Sequence, residues 1–394
     1  MSSGANSFIA IAPADPANPQ AIPSGDAEYV NFTEDDLTAG IGTTQSNHVR
    51  PDRMTTDVVV TSMEVGGGFG NELHFEQDAD DKLLAAALWA SWQGIMDTGA
   101  VEISAEGAVI DSMTGTIDFS GCATIPNNIY HPGCRVRLKG AADESNNSVR
   151  AWYYEAPNVW RVEPPFTVDE TLAAGATADT QYIKNASEYH PFFIERGHVD
   201  VDEYFQFMGM ALNTWALEVP DQDLITNKFG FVGFTTEVVQ QPTFQNYTGP
   251  SSNDSLSSVT NVGDIEINKV PVASCLVQAF TMEVNNNVSA NTGVGVFGAC
   301  KTNPHKFEVT GALTMYFESS QMYQWLLNGN EFSFSINFID NDANQYLIWM
   351  PRCKMSEDTI NVTSGDDEVL DDAAYAALAD PDTGAQLIIY KFKA

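Results

Sequence analysis

The stretch FEVTGALTMYFESSQMYQWLL, Phe307 to Leu327, changes its period partway along. Phe307, Val309, Leu313, Met315 and Phe317 fall on one side of an alternation, the period of a half-buried strand. Met322, Tyr323, Leu326 and Leu327 then follow helical spacing. The same order, strand then helix, occurs earlier in MEVGGGFGNELHFEQDADDKLLAAALW. There Leu83, Leu84, Ala87 and Leu88 repeat the i, i+1, i+4, i+5 spacing of Met322, Tyr323, Leu326 and Leu327. Upstream, Val65, Phe69 and Leu73 match the intervals of Val309, Leu313 and Phe317, and NFTEDDLTAGIG resembles AFTMEVNNNVSANTG. The register slips by a residue or two between these blocks. The expectation is a fused duplication, mainly β, in which each copy is a β-sandwich or barrel closed by one short amphipathic helix. Phe75, Leu83, Leu84 and Leu88 are the expected helix-to-sheet packing residues of the first copy. Phe317, Tyr323, Leu326 and Leu327 are those of the second.

At 394 residues the chain is too long for one ordinary domain and fits two, and 43% apolar residues suffice for real cores. Residues 1–27, rich in Pro, Ala and Ser, read as an extended N-terminal arm without the basic start and apolar core of a signal peptide. Residues 28–243 read as the first domain. Within it, Gly66, Gly67, Gly68 and Gly70 sit in a Val/Thr-rich strand and lack the ending of a phosphate loop, so they mark a bulge or a close backbone approach. Residues 119–166 read as a small inserted β module. Its Arg135, Arg137, Lys139 and Arg150 interleave with Glu144, Glu155 and Glu163, which suits a solvated or subunit-contacting face better than a nucleic-acid patch. Residues 244–264, rich in Ser, Asn and Gly, read as a linker. Residues 265–394 read as the second domain with a C-terminal arm. It holds the hairpin EFSFSINFIDNDANQYLIWMPRCK, a short acidic helix near 367–379 and a last strand, QLIIYKF.

No run approaches the roughly 20 apolar residues of a membrane span. The five cysteines, Cys122, Cys134, Cys275, Cys300 and Cys353, are scattered without a C-x-x-C pair, and only Cys122 and Cys134 are close enough in sequence to suggest a bridge. Fifty-three acidic residues against eighteen basic ones give a formal charge of −35, which opposes binding to a polyanion through phosphate contacts. Carboxylates this abundant cannot mark an active site by themselves. DVDEY and DNDAN lack the rest of a calcium loop and read as turns. His48, His74, His131, His190, His198 and His305 are dispersed with no H-E-x-x-H, and no G-x-S-x-G elbow occurs. The residues therefore point to no catalytic, cofactor or metal site.

The phrase at Phe307–Leu327, followed by FSFSINFIDNDANQYLIWMPRCK, resembles the C-terminal half of the tail tube proteins of long-tailed, non-contractile bacteriophages. Their pattern runs G-x-[VF]-x-V-[TS]-G-x-[LF]-x-x-[YF]-F, a short helix, then a hairpin ending L-P-R-x-K. Here the ending is MPRCK, with Met350 in place of Leu. The first half is similar to that family through RPDRMTTDVVVTSMEVGGGFGNELHFEQDADDKLLAAALW and FFIERGHVDVDEYFQFMGMALNTWALEV. The similarity covers roughly residues 28–360 apart from the insert. It implies a structural protein and no enzyme: a virion subunit, assembled in the bacterial cytoplasm, whose rings stack into a tube. Two units per chain imply homotrimeric rings, with hexamers as the alternative. The resemblance further implies a tape-measure protein and transiting DNA in the lumen, with tail tip and terminator proteins at the ends. The acidic excess suits either a lumen that repels phosphates or an outer surface. The rival readings are an acidic all-β carbohydrate-active enzyme and another virion component such as a decoration or tail-terminator protein.

Overall fold

A computed structural model describes residues 4–47, 57–75, 78–129, 131–250, 253–273, 276–362 and 368–394; His48 and Cys275 lie outside them. The chain is mainly β. Fourteen strands and two helices build its frame. The first seven strands are β1 (Ser7–Pro13), β2 (Thr38–Gln45), β3 (Val58–Glu72), β4 (Phe192–His198), β5 (Glu203–Val219), β6 (Thr226–Gly233) and β7 (Thr235–Val239). The second seven are β8 (Val262–Ile267), β9 (Val277–Asn285), β10 (Glu308–Tyr316), β11 (Glu331–Ile339), β12 (Gln345–Asn361), β13 (Leu370–Ala377) and β14 (Ile388–Phe392). Helix α1 (Asp78–Ala87) follows β3 and helix α2 (Gln321–Asn328) follows β10.

The antiparallel pairings of the first set recur in the second. β1 pairs β4 as β8 pairs β11; β2 pairs β3 as β9 pairs β10; β3 pairs β6 as β10 pairs β13. β5 meets β4, β6 and β7, and β12 meets β11, β13 and β14. The long strands β5 and β12 each serve two sheets. Each has a bulge, at Asn213 and at Ser356, where the strand turns from one sheet into the other. β5 also pairs β9, from Thr214–Asn285 to Val219–Phe280, and this junction makes one sheet of order β2-β3-β6-β5-β9-β10-β13-β12.

Period-two patterning explains the layers. Along Trp215–Val219 alternate residues are buried, as a strand with one bare face requires. The buried side carries Trp215, Leu217, Phe229, Phe231, Phe280 and Met282 against the outer sheets, and one continuous core runs through both halves. Phe192 meets Phe231 edge-on in the first half, and Phe280 stacks on Phe334 at 4.9 Å in the second. Helix α1 opens with Asp78, Asp80 and Asp81, which suit the positive end of its dipole. Asp81 also ties α1 to the second half: it accepts from the Tyr346 hydroxyl at 3.0 Å and pairs with Lys391.

Four expectations change. Ser7–Pro13 is no arm but a core strand between β4 and Ala27–Val30, with Ile9 and Ile11 fully buried. The supposed linker already contains the start of β8. The acidic stretch near 370 is strand β13, because Asp371, Ala373, Tyr375 and Ala377 alternate inward. The insert is larger than 119–166: an eight-stranded sheet runs from Glu102 to Asp179. Although it interrupts the first half in sequence, it sits on the second, packing Trp152, Trp160 and Phe119 in one cluster with Trp349, Tyr390 and Phe392. The strand Gln181–Lys184 then pairs β14.

The glycine cluster is required by close approach. A Cβ on Gly68 would stand 1.9 Å from the carbonyl oxygen of Phe229, and Gly67 has φ +94°, with a Cβ there meeting the Asp36 carbonyl oxygen at 2.3 Å. Gly68→Ala is expected to lower stability by about 1–3 kcal/mol, read as a shift of the urea midpoint. Gly249→Ala, with nothing near its Cβ, leaves the midpoint unchanged.

Candidate functional site

The feature with functional content is the bare face of the eight-strand sheet. Directly paired residues share a face, so the register identifies its members. Gly40 faces Glu64, Gly66 faces Val232, Lys228 faces Ala216, and Ala216 faces Glu283. The row continues through Glu283–Thr310, Thr310–Ala376 and, one step along, Ala374–Glu357. Gly, Ala and Thr dominate, and the acids Glu64, Glu218, Glu283, Glu308, Glu357 and Asp372 stand among them. The cations on these strands are Lys228, Arg352 and Lys354, and Arg352 pairs with Glu331 at 2.6 Å. Lys228 donates to Glu34 at 2.9 Å, and that bond holds its pKa up; Lys354 lies 3.4 Å from Glu331. A smooth acidic surface with neutralised cations has no grip for a phosphate.

At the far end of this sheet the two halves differ beneath the surface. In the first, Trp215 Nε1 donates to Asn227 at 3.1 Å. The corresponding residues of the second are Asp358 and Asp371. Burial, together with the hydrogen bond and charge of Asp358 and the charge of Asp372, pushes Asp371 up to about 7. Asp372 itself accepts from Thr314 at 2.8 Å and Asn361 at 2.6 Å.

The expected packing residues divide. Phe75, Leu83, Leu84 and Leu88 are buried in the core. In α2 the buried stripe is Met322, with Trp325 stacked on Phe332; Phe317, Tyr323 and Leu327 are 37%, 41% and 68% exposed, and Leu326 is half-buried. Two turns of helix present one narrow stripe, and at about 100° per residue Tyr323 and Leu327 lie beyond its edge. The basic residues of the insert form no solvated patch either, because Arg135, Arg137 and Arg150 are buried. Arg137 pairs with Asp179 at 2.9 Å, Arg150 donates to the carbonyls of Pro164, Pro165 and Ser145, and Arg135 reaches Glu266 of β8 at 2.8 Å. Cys122 and Cys134 are free thiols.

The chain is a mainly β protein built on one wide sheet with a bare face. The sequence matches the phage tail tube protein family over residues 4–377, and the chain belongs to that family. No curated protein matches it. Membership makes it a self-assembling structural component of the phage virion. No helix among the described residues is long and apolar enough to cross a membrane.

Because Asp371 keeps its proton to a higher pH when folded than when unfolded, its contribution is most favourable below about pH 4 and declines as pH rises toward 7. Asp371→Asn, which installs the residue found at position 227, removes that loss. The urea midpoint of the dispersed variant should exceed that of the parent increasingly from pH 5 to pH 8; parallel curves would contradict the raised Asp371 pKa.

Proposed function

We propose that this chain is the repeating subunit of the tail tube, with the acidic face of its eight-strand sheet turned to the lumen. The β1–β7 frame, without the insert, and residues 262–394 act as two copies of one unit, so that three chains supply six similar units to a ring, and rings stack into the tube. The insert, seated on the second outer sheet, then lies away from the channel. The observation that carries this reading is the β5–β9 junction: two sandwiches already share one sheet within a single chain, and among the described residues neither outer edge of that sheet carries a further strand.

The lumen wall works by repulsion and smoothness. Fixed carboxylates within a Debye length, about 8 Å in physiological salt, keep DNA phosphates off the wall. An unpaired lysine would bind phosphate with release of counterions and would slow passage. A tape-measure protein fills the lumen before DNA does, tip and terminator proteins close the ends, and assembly takes place in the host cytoplasm. The chain catalyses nothing in this role.

Electron microscopy of the purified protein tests the assembly. Hollow striated tubes, or three-fold rings with six similar lobes, are expected, and compact monomers without a pore would overturn the reading. The wall is tested by replacing Glu218, Glu283 and Glu357 with lysine. Tubes of that variant should retain a labelled DNA oligonucleotide in a salt-sensitive manner, whereas parent tubes release it.

A further inference from the structure

The contact between neighbouring subunits is written inside the chain. The bulges at Asn213 and Ser356 make Thr214–Val219 the counterpart of Glu357–Val362. On the other side, Asp35 faces Phe69 and Phe280 faces Leu313, and these core residues are themselves counterparts through β6 and β13. Asp35–Gly40 therefore corresponds to Phe280–Asn285. Within the chain the strand of the first type pairs with the strand of the second type, as Ala216 with Glu283 and Leu217 with Met282. The remaining pair, Glu357–Asn361 and Asp36–Gly40, has no strand on its outer edge among the described residues.

We infer that a second copy of this chain lays its Asp36–Gly40 strand antiparallel along Glu357–Asn361, with Thr38 opposite Thr359 and Leu37 opposite Ile360. This rests on the reading of the chain as a tube subunit and adds the strands and the register. The side chains fit that register. Ile360, 38% exposed in the single chain, meets Leu37 on the core side, as Leu217 meets Met282. Glu357 meets Gly40, which offers no side chain, and Thr359 meets Thr38 on the lumen side. A slip of one residue would turn Ile360 to the lumen and break the match.

The outer part of the β2–β3 hairpin supports the same partner. Its pairing of Thr44 with Val59 has its counterpart in Ser289 with Asn303. That second hairpin lies on the first half of its own chain: Val288 N donates to Asn213 Oδ1 at 2.6 Å, and the Tyr189 and Thr302 hydroxyls meet at 2.9 Å. Among the described residues the outer part of the first hairpin meets no such bed, and Ile41, Val58, Val59 and Val60 are exposed on it. By the same correspondence its bed is the Ser356 region of the next copy.

Paired cysteines test the register, because directly opposed residues of an antiparallel pair stand about 4.5–5.5 Å apart at Cα, within disulfide reach. The variants carry Cys300→Ser to remove an exposed thiol. Thr38→Cys with Thr359→Cys should, on mild oxidation of assembled tubes, convert the monomer band into a ladder that ends at ring size. Ala216→Cys with Glu283→Cys should close within one chain under the same conditions, which checks the chemistry. Thr38→Cys with Glu357→Cys, two residues out of register, should stay largely monomeric. Thr38 and Thr359 are exposed, so each single variant should still form tubes. Tubes that form while the Thr38/Thr359 pair stays monomeric, or while the shifted pair links better, would overturn this register and leave the tube reading standing. Failure of the parent protein to form any ring would overturn both.

Discussion

The structure depends on main-chain hydrogen bonding between β5 and β9. A strand edge buried without a partner forfeits its amide and carbonyl bonds, which proteins scarcely tolerate. The pairing from Thr214 to Val219 with Phe280 to Asn285 satisfies that edge for both halves. It also fixes their relative position, since a backbone ladder allows no rotation about the joint. Side chains reinforce it from the core side, where Trp215, Leu217, Phe280 and Met282 belong to one cluster. Asp81 adds a polar clasp to Tyr346 and Lys391. The two halves share one sheet across this joint.

Such a joint needs strands that belong to two sheets at once, and the bulges at Asn213 and Ser356 provide them. The extra residue bends and twists the strand, so that the N-terminal part of β5 pairs β4 and β7 while its C-terminal part pairs β6 and β9. Asn213 then gains a second use: its side chain and carbonyl receive the amides of Val288 and Asn286. At Ser356 the same bulge has no partner of that kind among the described residues of the chain. The contrast between Trp215–Asn227 and Asp358–Asp371 lies beside it, a hydrogen-bonded pair at the internal joint in one place and two acids at the outer rim in the other.

Much of this organisation was legible in the sequence, and the failures have physical causes. Val65 and Phe69 against Val309 and Leu313 marked the spacing of β3 and β10, because large apolar residues on a buried face are hard to disguise. The alignment of NFTEDD with AFTMEV placed Phe32 on Phe280, whereas Asp35 is the residue that faces Phe69. β1 was missed because its short apolar core, FIAIA, lies in a Pro/Ala-rich context, and β13 was missed because alanine favours helices while the alternation of LDDAAYAA favours a strand. The insert looked small because its outermost strands are two or three residues long, too short to show a period. The candidate surface was the least legible part. Its residues are Gly, Ala, Thr and scattered acids, a composition found all over this chain, and only the pairing register places Glu64, Glu283 and Glu357 on one face.

That composition follows from what the joint demands. A sheet wide enough to span both halves must leave one face without a layer of its own, since the helices and outer sheets cover the other. Large apolar residues there would invite a second sheet to stack, and unpaired cations would collect anions. Small residues keep the face flat, and acids at intervals keep it hydrated and repulsive to other acids. Directly opposed carboxylates would strain the ladder itself, and the register avoids them: Glu283 faces Ala216 and Thr310, Glu357 faces Ala374, and Asp372 faces Thr314 and Thr359. The negative field is therefore spread over the face instead of being concentrated at the hydrogen-bonded seams, and the strands can carry it without losing the pairing on which the whole molecule rests.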